Sequence, residues 1–143
     1  MTFEIAGPRG APVIAVLGGI SASKHITSSA SDPSPGWWED VVGPGRALDT
    51  RRFRVLGIDY VTRGQGSAPV TTTDQAEALA AALDKAGIRS LHALVGASYG
   101  GMVALAFGVR YSERARRLIV ISAAHESDPM PWVAGAWDPC FSL

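Results

Sequence analysis

A chain of 143 residues, 47% of them hydrophobic, is long and apolar enough to bury one sizeable core, which excludes an intrinsically disordered segment. Thirteen basic and thirteen acidic residues cancel, so no overall field draws the chain to nucleic acid or to an anionic membrane, and neither is expected as a partner. Cys140 is the sole cysteine; it allows no internal disulfide and no metal-ligand spacing, and it fits a reducing, cytoplasmic setting.

Thr2 to Ile5 predicts a short edge strand, followed by turn chemistry at Gly7-Pro8-Arg9-Gly10. Val13-Ile14-Ala15-Val16-Leu17 is apolar at consecutive positions, as a strand of a parallel sheet covered on both faces should be. Pro12 to Ala22 has the length of a signal-peptide core, but Glu4, the single Arg9 and the interrupting prolines and glycines argue against one. No apolar run approaches the roughly twenty residues needed to span a bilayer, and no internal repeat is visible. The strand ends in Gly18-Gly19-Ile20-Ser21, where missing side chains let backbone N–H groups face a crevice beyond the sheet.

Ser21 to Pro35 is serine-rich and aperiodic, which predicts a surface loop over that crevice with His25 solvated. Trp37 and Trp38 either line a pocket or anchor the loop to the core. Phe53 to Asp59 predicts another buried strand; Asp59 and Arg63 are expected to hold the loop at its end rather than touch a substrate. No G-x-G-x-x-G or Walker A spacing occurs. Thr72 with Gln75 fits a capping box, the stripe Ala76, Leu79, Ala80 and Leu83 predicts the helix that follows, and Gly87 is placed to cap its end. Further on, Arg114, Arg116 and Arg117 read as a solvated face before a last strand, Leu118 to Ser122.

Between these lies Leu91 to Met102: an apolar run, then Gly96-Ala97-Ser98-Tyr99-Gly100-Gly101, then apolar residues at helical spacing. This predicts strand, sharp turn and helix, with G-x-S-x-G as a nucleophile elbow that lifts the Ser98 hydroxyl clear of the sheet. The elbow glycines Gly96, Gly100 and Gly101 remove side chains that would collide there. The plain alternative is a tight turn with a bystander serine. Alternating strands and helices with this elbow predict an α/β-hydrolase fold, a doubly wound, mostly parallel sheet. In such a fold the backbone N–H groups of Tyr99 and Ile20 would form the oxyanion hole.

Several blocks resemble a known family. Gly36-Trp37-Trp38, Val42-Gly43-Pro44-Gly45, Leu48-Asp49-Thr50 with Arg52-Phe53, Thr71 to Gln75, Val95 to Met102 and Ile121 to His125 look like the homoserine O-acyltransferases. These are the acetyl- and succinyl-transferring enzymes of methionine biosynthesis, and the resemblance runs from about Val13 to Met130. It implies that Ser98 takes an acyl group from acyl-CoA as an ester and that a hydroxyl amino acid collects it, with no cofactor or metal beyond the acyl-CoA substrate. For the full-length enzyme it leaves a homodimer open. Asp59 to Ser67 is closer to the general hydrolase pattern, and Gly18 stands where the family more often carries His, so homoserine and serine both remain open as acceptor.

A serine nucleophile needs a base and an orienting acid, in this fold in the order Ser, Asp, His. After Ser98 only His125, Asp128 and Asp138 are available. The resembling enzymes carry both groups much further downstream, so the catalytic Asp and His are expected to be absent from this chain. His125 is expected to cap a strand end or, with Trp37 and Trp38, to line the pocket. Residues 1–130 read as the N-terminal part of an α/β-hydrolase core domain and 131–143 as an irregular tail. The expectation is an N-terminal fragment, ended by a frameshift near Pro131 or a premature stop, whose sheet stops at the 118–122 strand. That strand then becomes an edge open to pairing with other chains. A plain esterase and a non-catalytic remnant are the other two readings.

Overall fold

The computed structural model describes residues 1–62 and 69–125. Arg63, Asp128, Asp138, Cys140 and the whole 131–143 tail lie outside the described residues. In chain order the elements are β1 (Phe3–Ala6), β2 (Val13–Leu17), β3 (Val42–Gly43), β4 (Leu48–Asp49), β5 (Arg54–Ile58), α1 (Thr72–Lys85), β6 (Ala93–Ala97), α2 (Tyr99–Arg110) and β7 (Leu118–Ile121). A 3-10 turn, Ser112–Arg114, precedes β7. One sheet runs β1-β5-β2-β6-β7, with β1 antiparallel to β5 and every other pairing parallel; β3 and β4 form a separate two-residue pair.

This order is that of an α/β-hydrolase-type doubly wound sheet, and it dictates what covers each face. Crossovers between parallel strands are right-handed, so connections that move in opposite directions across a sheet lie on opposite faces. From β5 to β6 and from β6 to β7 the chain moves one way, and both connecting helices pack on one face. There Leu79 and Leu83 of α1 and Val103 and Phe107 of α2 meet Ala15, Leu17, Leu56 and Leu94 of the sheet. From β2 to β5 the chain moves the other way, and among the described residues the opposite face is covered by that connection, which contains no helix. Ile26 and Val42, with the half-buried Trp37, Trp38 and Phe53, pack there on Ile14, Val16, Val55 and Val95.

Helix α1 begins one residue earlier than its sequence suggests. Thr71, not Thr72, is the N-cap, and its hydroxyl and the Asp74 carboxylate make the reciprocal capping-box bonds. Gln75, displaced from that role, is buried and acts as a substitute strand: its side-chain amide accepts from Val61 N–H and donates to Val61 C=O, each at 2.9 Å. Gly87 ends the helix as expected, at φ +70°, with Gly87 N–H on Asp84 and Ile88 N–H on Leu83.

Besides these apolar contacts, the irregular layer is tied down by charge. Glu39 accepts from Ser28 N–H (2.8 Å), Ser28 Oγ (2.6 Å) and Gly36 N–H (2.9 Å), and these bonds bring its carboxyl down to about 2. Asp59 binds the Thr2 hydroxyl, Lys24 N–H (2.9 Å) and Lys24 Nζ (3.0 Å). Burial pushes its carboxyl up, but those bonds outweigh it and hold the group at about 2. His25 is not solvated: its Nδ1 lies 3.2 Å from Glu4 and its Nε2 lies 2.9 Å from Ser34 C=O. The bond to Ser34 leads the causes that raise its pKa; desolvation opposes the rise, and the Glu4 and Asp32 carboxylates add to it. Arg114 is no free surface cation either, since it bonds Asp84, Ile88 C=O and Arg89 C=O across the turn into the elbow strand. At the far edge, β7 leaves Leu118, Ile119 and Ile121 39%, 45% and 40% exposed.

Two predictions follow from these layers. Phe107, fully buried between the helices and the sheet, should cost about 3–5 kcal/mol when cut to alanine, read as a lower urea midpoint at unchanged slope. Asp59 and Glu39 have folded pKa values near 2 against ordinary values of 3.8 and 4.5, so the stability they lend is complete above about pH 5 and is lost as pH falls toward 2. Glu39→Gln should therefore lower the melting temperature at pH 7 and flatten its fall between about pH 5 and pH 2; parallel acid profiles in the two proteins would contradict this.

Candidate active site

The connections leaving β2 and β6 diverge, and between neighbouring strands of that kind a crevice opens beyond their carboxyl ends. Ser98 stands at its centre, directly after β6 and directly before α2. Its backbone is at φ 54°, ψ −124°, a conformation that costs a residue with a side chain of order 1–3 kcal/mol and is held only by its surroundings. Those surroundings are backbone contacts. Ser98 N–H donates to Ile121 C=O on β7 (3.0 Å), and Ser98 C=O accepts from Gly101 N–H (2.8 Å). A Cβ on Gly96 would strike the Gly100 carbonyl, one on Gly100 would strike the carbonyls of Leu17 and Gly18, and one on Gly101 would crowd Ala123. The turn is therefore the predicted elbow, and its glycines are required by close approach.

The Ser98 side chain is exposed, and among the described residues its hydroxyl has no hydrogen-bond partner. Tyr99 N–H, the first amide of α2, and Ile20 N–H, in the loop after β2, are likewise unpartnered among the described residues. One free amide thus adjoins an exposed hydroxyl at a helix N-terminus, where the helix dipole favours negative charge, and the other lies in a loop that Gly18 ties to the first turn of that helix. The loop carrying Ile20 is fixed at Gly18, whose carbonyl accepts from Gly100 N–H (3.0 Å) and from Tyr60 Oη (2.7 Å). Tyr60 packs edge-on against Tyr99, with centroids 5.1 Å apart, and burial pushes its phenol far above the ordinary range, so it remains a donor.

The tryptophans stack on one another at 5.3 Å and serve as anchors: Trp37 Nε1 donates to Ser23 C=O, and the two backbone amides donate to His25 and Ile26. Trp37 also reaches the site's edge, its ring tip filling the space that a side chain on Gly18 would need. Asp59 holds Lys24 and Thr2, as the loop-holding expectation required. An open groove of about 620 Å³ lies elsewhere, beside β1, lined by Ile5, Gly7, Ser29, Pro33, Pro44 and Thr50.

All three histidines lie among the described residues. His25 is tied to β1, three strand positions from β6 and so about 14 Å across the sheet. His92, beside Phe53 and Arg117, precedes β6 and sits at its opposite end, six residues or about 20 Å along the strand from Ser98. His125, four residues past β7, is exposed at the correct end of the neighbouring strand, but no hydrogen bond joins it to Ser98. Among the described residues, then, Ser98 presents an exposed hydroxyl at the start of α2, the Tyr99 and Ile20 amides are unpartnered, and no histidine is hydrogen-bonded to Ser98. Tyr60 and Gln75 were not foreseen; only the place of Tyr60, just past a strand's carboxyl end, could have signalled it.

Comparison with known proteins agrees with this geometry. The alpha/beta hydrolase fold family matches residues 12–139, a span that continues into the tail. The homoserine O-succinyltransferase of Xanthomonas campestris pv. campestris is 45% identical over 138 residues, covering 96% of this chain and 37% of that enzyme. The serine O-succinyltransferase of Emericella nidulans is 37% identical over 135 residues, covering 82% and 26%. Among solved structures, esterase E22 superposes with a TM-score of 0.77 at 29% identity, covering 89% of this chain and 42% of that one. The chain thus spans between about a quarter and two fifths of the length of these proteins. No helix among the described residues is long and apolar enough to cross a membrane. With its sheet order, its strained serine between β6 and α2 and a family match over nearly its whole length, the chain belongs to the α/β-hydrolase fold family, within which it is similar in sequence to homoserine and serine O-acyltransferases.

Proposed function

We propose that Ser98 is the nucleophile of an O-acyltransferase that moves an acyl group from acyl-CoA to the hydroxyl of homoserine. The observation that carries this is the exposed Ser98 hydroxyl on a positive-φ turn, next to the free amide of Tyr99 and with the free amide of Ile20 in the loop that Gly18 ties to α2. In the first half-reaction Ser98 Oγ loses its proton to a base and adds to the thioester carbonyl. The oxyanion gathers against the two amides, the C–S bond breaks, and CoA leaves as a thiol. In the second, the acceptor hydroxyl gives up its proton and attacks the Ser98 ester, the ester C–O bond breaks, and Ser98 regains a proton. The 45% identity to a homoserine O-succinyltransferase supports homoserine and a succinyl donor; the serine O-succinyltransferase likeness keeps serine as the other acceptor.

A second reading, ester hydrolysis with water in place of the amino acid, draws on the superposition with esterase E22. A third, a chain that binds without catalysis, draws on the absence of any histidine bonded to Ser98. Where a serine hydrolase keeps its oxyanion hole but lacks a working triad, about 10³–10⁴-fold catalysis over water survives.

The expected outcome for this chain is accordingly slow, stoichiometric acylation. Incubation with succinyl-CoA or acetyl-CoA should add one acyl group by intact mass in the wild type and none in Ser98→Ala, with no sustained O-acylhomoserine release. Turnover of p-nitrophenyl esters without an amino acid would favour the esterase; no Ser98-dependent adduct from a folded sample would overturn acyl transfer.

A further inference from the structure

Resting on the acyl-transfer reading of Ser98, we propose that Tyr60 is a positioning residue: its hydroxyl, acting through the Gly18 carbonyl, sets where the Ile20 N–H stands relative to Ser98. A carbonyl oxygen offers two lone pairs. On Gly18 one is taken by Gly100 N–H at 3.0 Å and the other by Tyr60 Oη at 2.7 Å. The Gly100 bond alone already satisfies this acceptor, so the phenol is not there to rescue a buried polar group. What it adds is direction. One bond leaves the Gly18–Gly19 peptide free to pivot about the first turn of α2, and a second bond from the end of β5 removes that freedom.

Ile20 depends on this brace because it has little of its own. Its side chain is 54% exposed, and its loop has one internal backbone bond, Ala22 N–H to Gly19 C=O at 2.9 Å. Tyr60, by contrast, is held from two sides. Its ring meets Tyr99 edge-on, and the next residue, Val61, is clamped by both polar atoms of the buried Gln75 on α1. Gly18 is also crowded by side chains, with the Ala22 Cβ and the Trp37 ring tip 2.5 and 2.7 Å from where a Cβ would be. The brace therefore spans β5, α1 and the irregular layer and converges on one peptide. Because Tyr99 supplies the other amide and packs on the same ring, a single phenol side chain relates both donors.

Tyr60→Phe tests this, since it deletes the hydroxyl and keeps the ring against Tyr99. Amide exchange followed by NMR on the 143-residue chain should show Gly100 N–H exchanging about tenfold faster in Tyr60→Phe, with the amides of β2 and β6 unchanged as internal reference. The rate of Ser98 acylation at saturating succinyl-CoA should fall between about tenfold and a hundredfold, with the half-saturating concentration unmoved, as displacement of a donor requires and loss of donor binding does not. Unchanged Gly100 exchange, or equal acylation rates in the two proteins, would overturn the proposal. No adduct in the wild type despite a changed exchange rate would instead sink the acyl-transfer reading, and with it the catalytic purpose of the brace.

Discussion

The first turn of α2 rests on the end of β2 with backbone against backbone, and the carboxyl end of the sheet is shaped by that approach. Gly100 lies so near the Leu17 and Gly18 carbonyls that no side chain fits between them. Gly96 on β6 meets the same helical turn just as closely, since a Cβ there would strike the Gly100 carbonyl. With the helix start fixed there, the residue joining β6 to α2 has no ordinary conformation left, and Ser98 takes up a positive φ. The strain is local, while the forces that maintain it are spread over β2, β6, β7 and α2 through ladder pairing and the buried Leu94, Val103 and Phe107. A hydroxyl is thereby presented outward with no side-chain hydrogen bond holding it among the described residues.

The same sheet is covered by two unlike materials. Its helical face is an apolar interlock of Leu, Val, Ala and Phe. Its other face carries a connection without a helix, where Ile26, Val42 and the tryptophan pair supply the contact area and carboxylates supply the order. The divergence of connections that lays these materials on opposite sides is also what opens the crevice at Ser98. Coverage and site are consequences of one reversal in strand order.

Much of this was legible in the residues. Val13 to Leu17 could be read as a buried strand because both of its faces are covered and no residue had to be polar. The elbow could be read because close approach leaves glycine no substitute. Helix α1 is visible in its stripe, but the residues point to a cap at Thr72, one position late, because three successive threonines all suit the role and only geometry chooses Thr71. The 21–35 segment gave least: its order comes from Glu39, Glu4 and Asp59, carboxylates distant in sequence, so His25 and its loop had no periodic signature. The brace on Gly18 was invisible for a related reason, since a tyrosine bonding a carbonyl 42 residues away leaves no spacing to detect.

His25 gives the irregular layer a property that neither face has by itself. Both of its ring nitrogens face acceptors, Glu4 on one side and Ser34 C=O on the other, and a neutral imidazole carries only one N–H. Both bonds are therefore complete only in the imidazolium. Its raised pKa means that the stability it lends is full below about pH 6.5 and drains away as pH rises through the folded value. Glu39 and Asp59 titrate in the opposite sense, losing their hold in acid. Two kinds of tether that fail at opposite ends of the scale give the layer a bell-shaped grip on the sheet, tightest in mildly acidic to near-neutral water, while the apolar interlock across the sheet is indifferent to protons.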